Sequence, residues 1–93
     1  MNALEVIKFG SNLLKEKKIS SFILDSEILL SKTLNKTREN ILINLDQKIS
    51  TKNILTYKEY LKRRSNNEPI AYILREKEFL SKKFYIDKGT LIP

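Results

Sequence analysis

Cysteine, histidine and tryptophan are missing from these 93 residues, and glycine and proline occur only twice each. Without Cys or His there are no thiolate or imidazole ligands, no disulfide framework, no histidine general base and no Ser-His-Asp site. Two isolated glycines, Gly10 and Gly89, cannot build a glycine-rich phosphate or dinucleotide loop. Long apolar runs are missing too. Phe22-Ile23-Leu24 and Ile28-Leu29-Leu30 fall far short of the ~18 residues of a membrane span. Glu5 and Lys8 interrupt the start of the chain, so it does not read as a secretory leader. The chain alone is therefore a poor candidate for an enzyme. A cytoplasmic setting is expected, with which the absence of Cys is compatible.

The composition is that of a folded soluble domain, 41% hydrophobic and 31% charged, apolar enough to offset the entropy of ordering one small core. The net charge is +7, and its distribution is uneven. Residues 1–46 hold seven basic and six acidic groups, residues 47–93 eleven and five. A basic second half favours an acidic partner surface or a nucleic-acid backbone. The plainer alternative is a solvated lysine-rich face, since 14 of the 18 basic residues are Lys spread singly.

Helical periodicity dominates to residue 75. Leu4, Val6, Ile7, Phe9, Leu13 and Leu14 share a face and predict an amphipathic helix over about 2–17, with Gly10 in the apolar arc as a close packing contact. Ser20 or Ser21 is expected to cap a second helix, apolar around most of its circumference from Phe22 to Leu34 and so central in a bundle. Asp25 in its first turn reads as an acid favoured by the helix dipole, with a tertiary hydrogen bond as the alternative. Thr37 begins a short helical stretch through Ile41 and Leu42, and Ser50 or Thr51 caps another to about 65, carrying Ile54, Leu55, Tyr57 and Leu61 at helical spacing. The tyrosines read as half-buried bundle residues rather than a base-stacking platform. Ser65-Asn66-Asn67 ends this helix and Pro69 opens a helical turn through Ile70, Tyr72 and Ile73. Beyond 75, Glu76 to Leu80 and Lys82 to Ile86 suggest a β-hairpin, with Phe79, Phe84 and Ile86 on one face. The apolar Leu91-Ile92-Pro93 after it reads as a cut, not a terminus. The expected fold is mainly α: a small antiparallel helical bundle over 1–75, then a hairpin linker over 76–93.

The segment Arg63-Arg64-Ser65-Asn66-Asn67-Glu68-Pro69-Ile70-Ala71-Tyr72-Ile73, followed by Glu78-Phe79, Phe84 and Leu91-Ile92-Pro93, resembles the end of the N-terminal domain of the HemK/PrmC family. These are the peptide chain release factor glutamine methyltransferases. The leading amphipathic helix, Asp25 before Leu29-Leu30, and Arg38-Glu39 before Leu42 occur in the same order, so the resemblance covers essentially the whole chain. It departs from the family at Arg75, where Gly is usual, and this restricts the backbone there to negative φ or strains it.

The resemblance implies a division of labour. An S-adenosylmethionine-dependent catalytic domain, absent from this chain, would methylate the glutamine of the Gly-Gly-Gln motif in a class 1 release factor. The helical domain would help to hold that factor and would itself be inactive. No cofactor, catalytic residue or metal ligand is assigned here, and Asn67-Glu68-Pro69 is not the family's Asn-Pro-Pro-Tyr motif. The expected partner-binding residues are Arg63, Arg64, Glu68 and Tyr72, and the expected partners are the release factor and the catalytic domain itself. For Arg63 and Arg64 the alternative is a solvated helix end. For Glu68 it is a pair with a neighbouring Arg, and for Pro69 and Tyr72 a purely structural role. A small nucleic-acid or ribosome-binding module is the second reading. Against it, Lys62-Arg63-Arg64 is the only tight basic cluster and runs into helix-breaking residues, and no helix concentrates Arg, Asn and Gln as a groove reader does. A plain dimerisation or adaptor bundle is the third.

Overall fold

The N-terminus is built so that every donor at the start of the first helix has an acceptor. In the computed structural model, which describes residues 1–75, helix α1 spans Ala3–Glu16. Its first four N–H groups have no partner within the helix. Ala3 donates to the Gln47 carbonyl (2.9 Å) and Leu4 to that of Leu45 (3.2 Å), while Val6 donates to Asn2 (3.0 Å). Glu5 N–H donates to the Asn2 side chain, whose backbone N–H donates back to the Glu5 carboxylate, both at 2.9 Å. This is a reciprocal capping box, while the bonds from Ala3 and Leu4 tie residues 45–49 against the start of the chain. The isolated antiparallel bridge Asn2–Lys48 and the bond from Ile49 N–H to the Met1 carbonyl (2.9 Å) complete the tie.

Helix α2 (Phe22–Leu34) comes next, then the five-residue α3 (Arg38–Leu42) and α4 (Thr51–Ser65). A last helical segment occupies 70–75. Thr37, where a helical stretch is expected to begin, and Ser50, one of the two expected caps with Thr51, accept hydrogen bonds from the N–H groups of Asn40 (3.1 Å) and Asn53 (3.2 Å). Ser21 stands at the N-cap of α2 but does not cap it through its side chain. Its hydroxyl donates instead to the Asp25 carboxylate, 2.8 Å away.

α2 packs against α1, α3 and α4, and α1 also meets α4. The shared core is Val6, Leu14, Leu29, Leu30, Ile41, Tyr57, Leu61 and Ile73, with Ala3, Ile7, Ile19 and Ile49 at its margins. α2 is central, as its composition implies, yet not covered all round. Ile23 and Leu24 are 56% and 45% exposed, and the buried stripe runs Asp25, Ser26, Leu29, Leu30, Thr33. Gly10 is the expected packing contact: Tyr57 lies over it so closely that a β-carbon there would collide with the tyrosine hydroxyl. Tyr57 is fully buried, deeper than the half-burial expected of it, and its hydroxyl donates to the Ser26 carbonyl (3.0 Å).

Among the described residues the chain is mainly helical, and no helix is long and apolar enough to cross a membrane. The hairpin expected over 76–93, with the domain division drawn at 75/76, lies outside the described residues. Arg75 is helical and is not among the three residues with positive φ, so the loss of the usual glycine leaves no strain at that position.

Candidate functional site

The residues singled out by the sequence meet on one edge of the bundle, where α4 ends and the chain turns into the 70–75 segment. α4 closes with Asn67 in the left-handed region (φ 69°) and Glu68 N–H donating to the Arg63 carbonyl (3.2 Å). This wrap-around bond is the Schellman arrangement, which satisfies carbonyls left over at a helix end. It folds Glu68 back toward the side chains of the preceding turn. Pro69 then starts the next turn, its carbonyl accepting from Tyr72 (3.0 Å) and Ile73 (3.2 Å).

The two arginines face different ways. Arg63 makes a bidentate pair with Glu68: Nε donates to Oε1 at 2.9 Å and Nη2 donates to Oε2. Both side chains stay about a quarter exposed. This hydrogen-bonded guanidinium holds the Glu68 carboxyl below its ordinary value of 4.5, against a smaller opposing effect of desolvation. Arg64 turns inward. Its Nε donates to Asp25 Oδ2 (2.8 Å) and its Nη1 to the Glu68 carbonyl (3.2 Å). Its side chain is 18% exposed and that of Asp25 is 5% exposed. Asp25 is thus more than a first-turn acid, and Arg64 is no solvated helix end. Together they form a tertiary ion pair joining α2 to the end of α4, with Ser21 as a second donor to the carboxylate.

Tyr72 points outward, 58% exposed, with the Arg75 guanidinium 5.7 Å from its ring centre. The expected packing of this ring into the bundle is not what the structure has. Ile73, the next residue, is fully buried. Pro69 and Ile73 therefore fix the segment and leave Tyr72 displayed.

Sequence reading missed one member of this edge and gave another its role only as the second choice. Lys32, in the last turn of α2, donates through Nζ to the Leu74 carbonyl (2.5 Å) and lies 5.8 Å from the centre of the Tyr60 ring. Nothing in the sequence distinguishes it from the other lysines. For Asp25 the tertiary hydrogen bond is the alternative, and the signal that favours it is in the sequence. Asp25 lies four residues before Leu29 on the buried stripe, and an acid on such a stripe requires a cation.

The described residues form a small helical domain whose 70–75 segment is fastened to its central helix. The comparisons define that class further: residues 5–74 match the PrmC N-terminal domain, and the chain belongs to that family. A bifunctional methyltransferase of Rickettsia felis is 42% identical over 89 residues, 96% of this chain and 17% of the relative. Release factor glutamine methyltransferases of Leptospira interrogans and of Buchnera aphidicola subsp. Baizongia pistaciae are 36% and 44% identical, over 97% and 94% of this chain. The chain spans about a sixth of the first of these relatives and about a third of the other two, which it covers to 32% and 31%. No solved structure matches it.

Proposed function

We propose that this chain is the release-factor-recognition domain of a methyltransferase that modifies the side-chain amide of the glutamine in the Gly-Gly-Gln motif of class 1 peptide chain release factors. The family match over residues 5–74 carries the reading, supported by relatives named as release factor glutamine methyltransferases. S-adenosylmethionine would supply the methyl group from its sulfonium to the amide nitrogen, which gives up a proton. The chain offers no cradle for that donor among its described residues, since Gly10 sits in a helix beneath Tyr57. The donor belongs with a catalytic domain C-terminal to this one.

The division of labour has a physical basis. An amide nitrogen is a weak nucleophile, and its reaction gains chiefly from being held in line with the donor. Binding energy from surfaces remote from the reacting atoms supplies that orientation. In this reading Tyr72 is the displayed contact, an aromatic of the kind that dominates interfaces, with the Arg75 guanidinium beside its ring and the partly exposed Arg63–Glu68 pair in the turn that precedes it. Arg64 acts indirectly, by holding the turn that presents them.

The test is methyl transfer to a purified release factor by the longer protein. Tyr72→Ala is expected to raise KM for the factor about tenfold, in the range of a truncated interface aromatic, with kcat within about twofold. Unchanged KM, or a lost kcat at normal KM, contradicts a recognition role for this edge.

A further inference from the structure

A lysine on one helix can reach a backbone carbonyl of a neighbouring element, its apolar stem lying along the surface between them. Lys32 does this for the 70–75 segment, donating to the Leu74 carbonyl. At the other end of the segment Arg64 donates to the Glu68 carbonyl while paired with Asp25. Both anchors, Asp25 and Lys32, stand on α2. They are seven residues apart, about 10 Å along a helix axis. The anchor near the start of α2 holds the chain before the segment and the anchor near its end holds Leu74, so 70–75 follows the direction of α2. Between the anchors Ile73 is fully buried and Ile70 packs on the core.

We propose that Lys32 is a positioning residue. With Asp25 and Arg64 it forms a two-point clasp that fixes the direction in which the chain leaves the domain after residue 75, and hence where this domain stands relative to a C-terminal catalytic domain. The inference rests on the reading that such a domain is present in the longer protein. Its test uses the 93-residue chain alone, so that failure of the clasp and failure of release-factor recognition are seen separately. The stem of Lys32 is long and apolar, and Lys32→Met keeps that bulk while removing the donor.

Backbone order parameters of 72–75 are expected to fall from about 0.85, the value of rigid backbone, to below about 0.6 in Lys32→Met. Amide exchange in α1 and α4 should change less than about threefold, the clasp being local. Lys32→Arg, which retains a donor, should restore the order. If the charge of Lys32 served only the dipole of α2, loss of protection would fall on the last turn of α2 and leave 72–75 ordered. That result, or an equal rise in exchange throughout, overturns the clasp. A second readout needs no substitution: the Lys32 ammonium protons should be retained at a pH where those of exposed Lys17 and Lys18 are lost to exchange with water, and their equal loss would also overturn it.

Discussion

At Gly10 the backbone of α1 passes so close to Tyr57 that an added methyl group would meet the phenol oxygen and then the ring edge. Burial pushes the Tyr57 phenol above its usual ionisation range, partly offset by its hydrogen bond to Ser26, so this hydroxyl acts throughout as a neutral donor. Gly10→Ala adds helix propensity, up to about 1 kcal/mol, but overpacks the α1–α4 contact at about 1–3 kcal/mol. A net loss of stability is expected in denaturant unfolding. Tyr57→Phe removes the nearest clashing atom, so the double variant should lose less than the sum of the two single ones. The Arg63–Glu68 pair gives a prediction in pH. Because the carboxyl is held below 4.5 in the folded protein, its contribution is present above that value and fades as pH falls through the lower folded one. Followed by NMR, Glu68 should titrate below 4.5, and Arg63→Met should return it to the ordinary range. A Glu68 midpoint unmoved by that substitution would contradict the pairing.

Helix ends account for much of what could be read in advance, and for part of what could not. The N-caps Thr37 and Ser50 were legible because a hydroxyl before an apolar period has one economical use. The C-terminal ends fall within a residue of where they are expected, but how they close was not legible, because glycine, the usual residue there, stands at none of them. α1, α2 and α4 all close through left-handed residues that are not glycine: Lys18 (φ 64°), Asn35 (φ 58°) and Asn67 (φ 69°). Each is succeeded by a wrap-around bond, from Ile19 to Leu14, Lys36 to Ser31 and Glu68 to Arg63. Asparagine tolerates this conformation, whereas lysine holds it at a cost of about 1 kcal/mol. Lys18→Gly is therefore expected to stabilise the domain by about 0.5–1 kcal/mol, read as a higher denaturation midpoint at unchanged slope. A lower midpoint would mean that Lys18 is favoured there for another reason. For Asp25 the second of the two readings, a tertiary hydrogen bond, is the one the structure has. Its position in the first turn satisfied a local rule, and the tertiary rule that a buried acid needs a cation pointed to Arg64, 39 residues away, which no local pattern names.

The bundle itself was legible because four amphipathic periods separated by polar breaks admit few other arrangements, and the Arg63–Tyr72 segment was legible as a family-like edge. What the sequence did not reveal was how that edge is held: Arg64 turned in, Tyr72 turned out, and Lys32 reaching across from α2. These are contacts between elements, decided by packing and not by local preference. The whole arrangement leaves Tyr72 exposed beside the Arg75 guanidinium at the end of the described residues, as the proposed recognition of a protein substrate requires. Asp25→Asn tests the support of that edge: it leaves Arg64 largely buried without its counter-charge, and a loss of about 2–4 kcal/mol is expected from breaking such a pair. The most direct measurement of the central claim is a titration of a purified class 1 release factor, with its Gly-Gly-Gln loop intact, into this chain at low salt and at ~150 mM salt, where exposed charges are screened beyond ~8 Å. Duplex RNA serves as the polyanion control. Saturable binding of the factor that persists at the higher salt, with RNA binding that does not, is the predicted result. Salt-resistant RNA binding without any response to the factor would contradict the account and make the chain a nucleic-acid module.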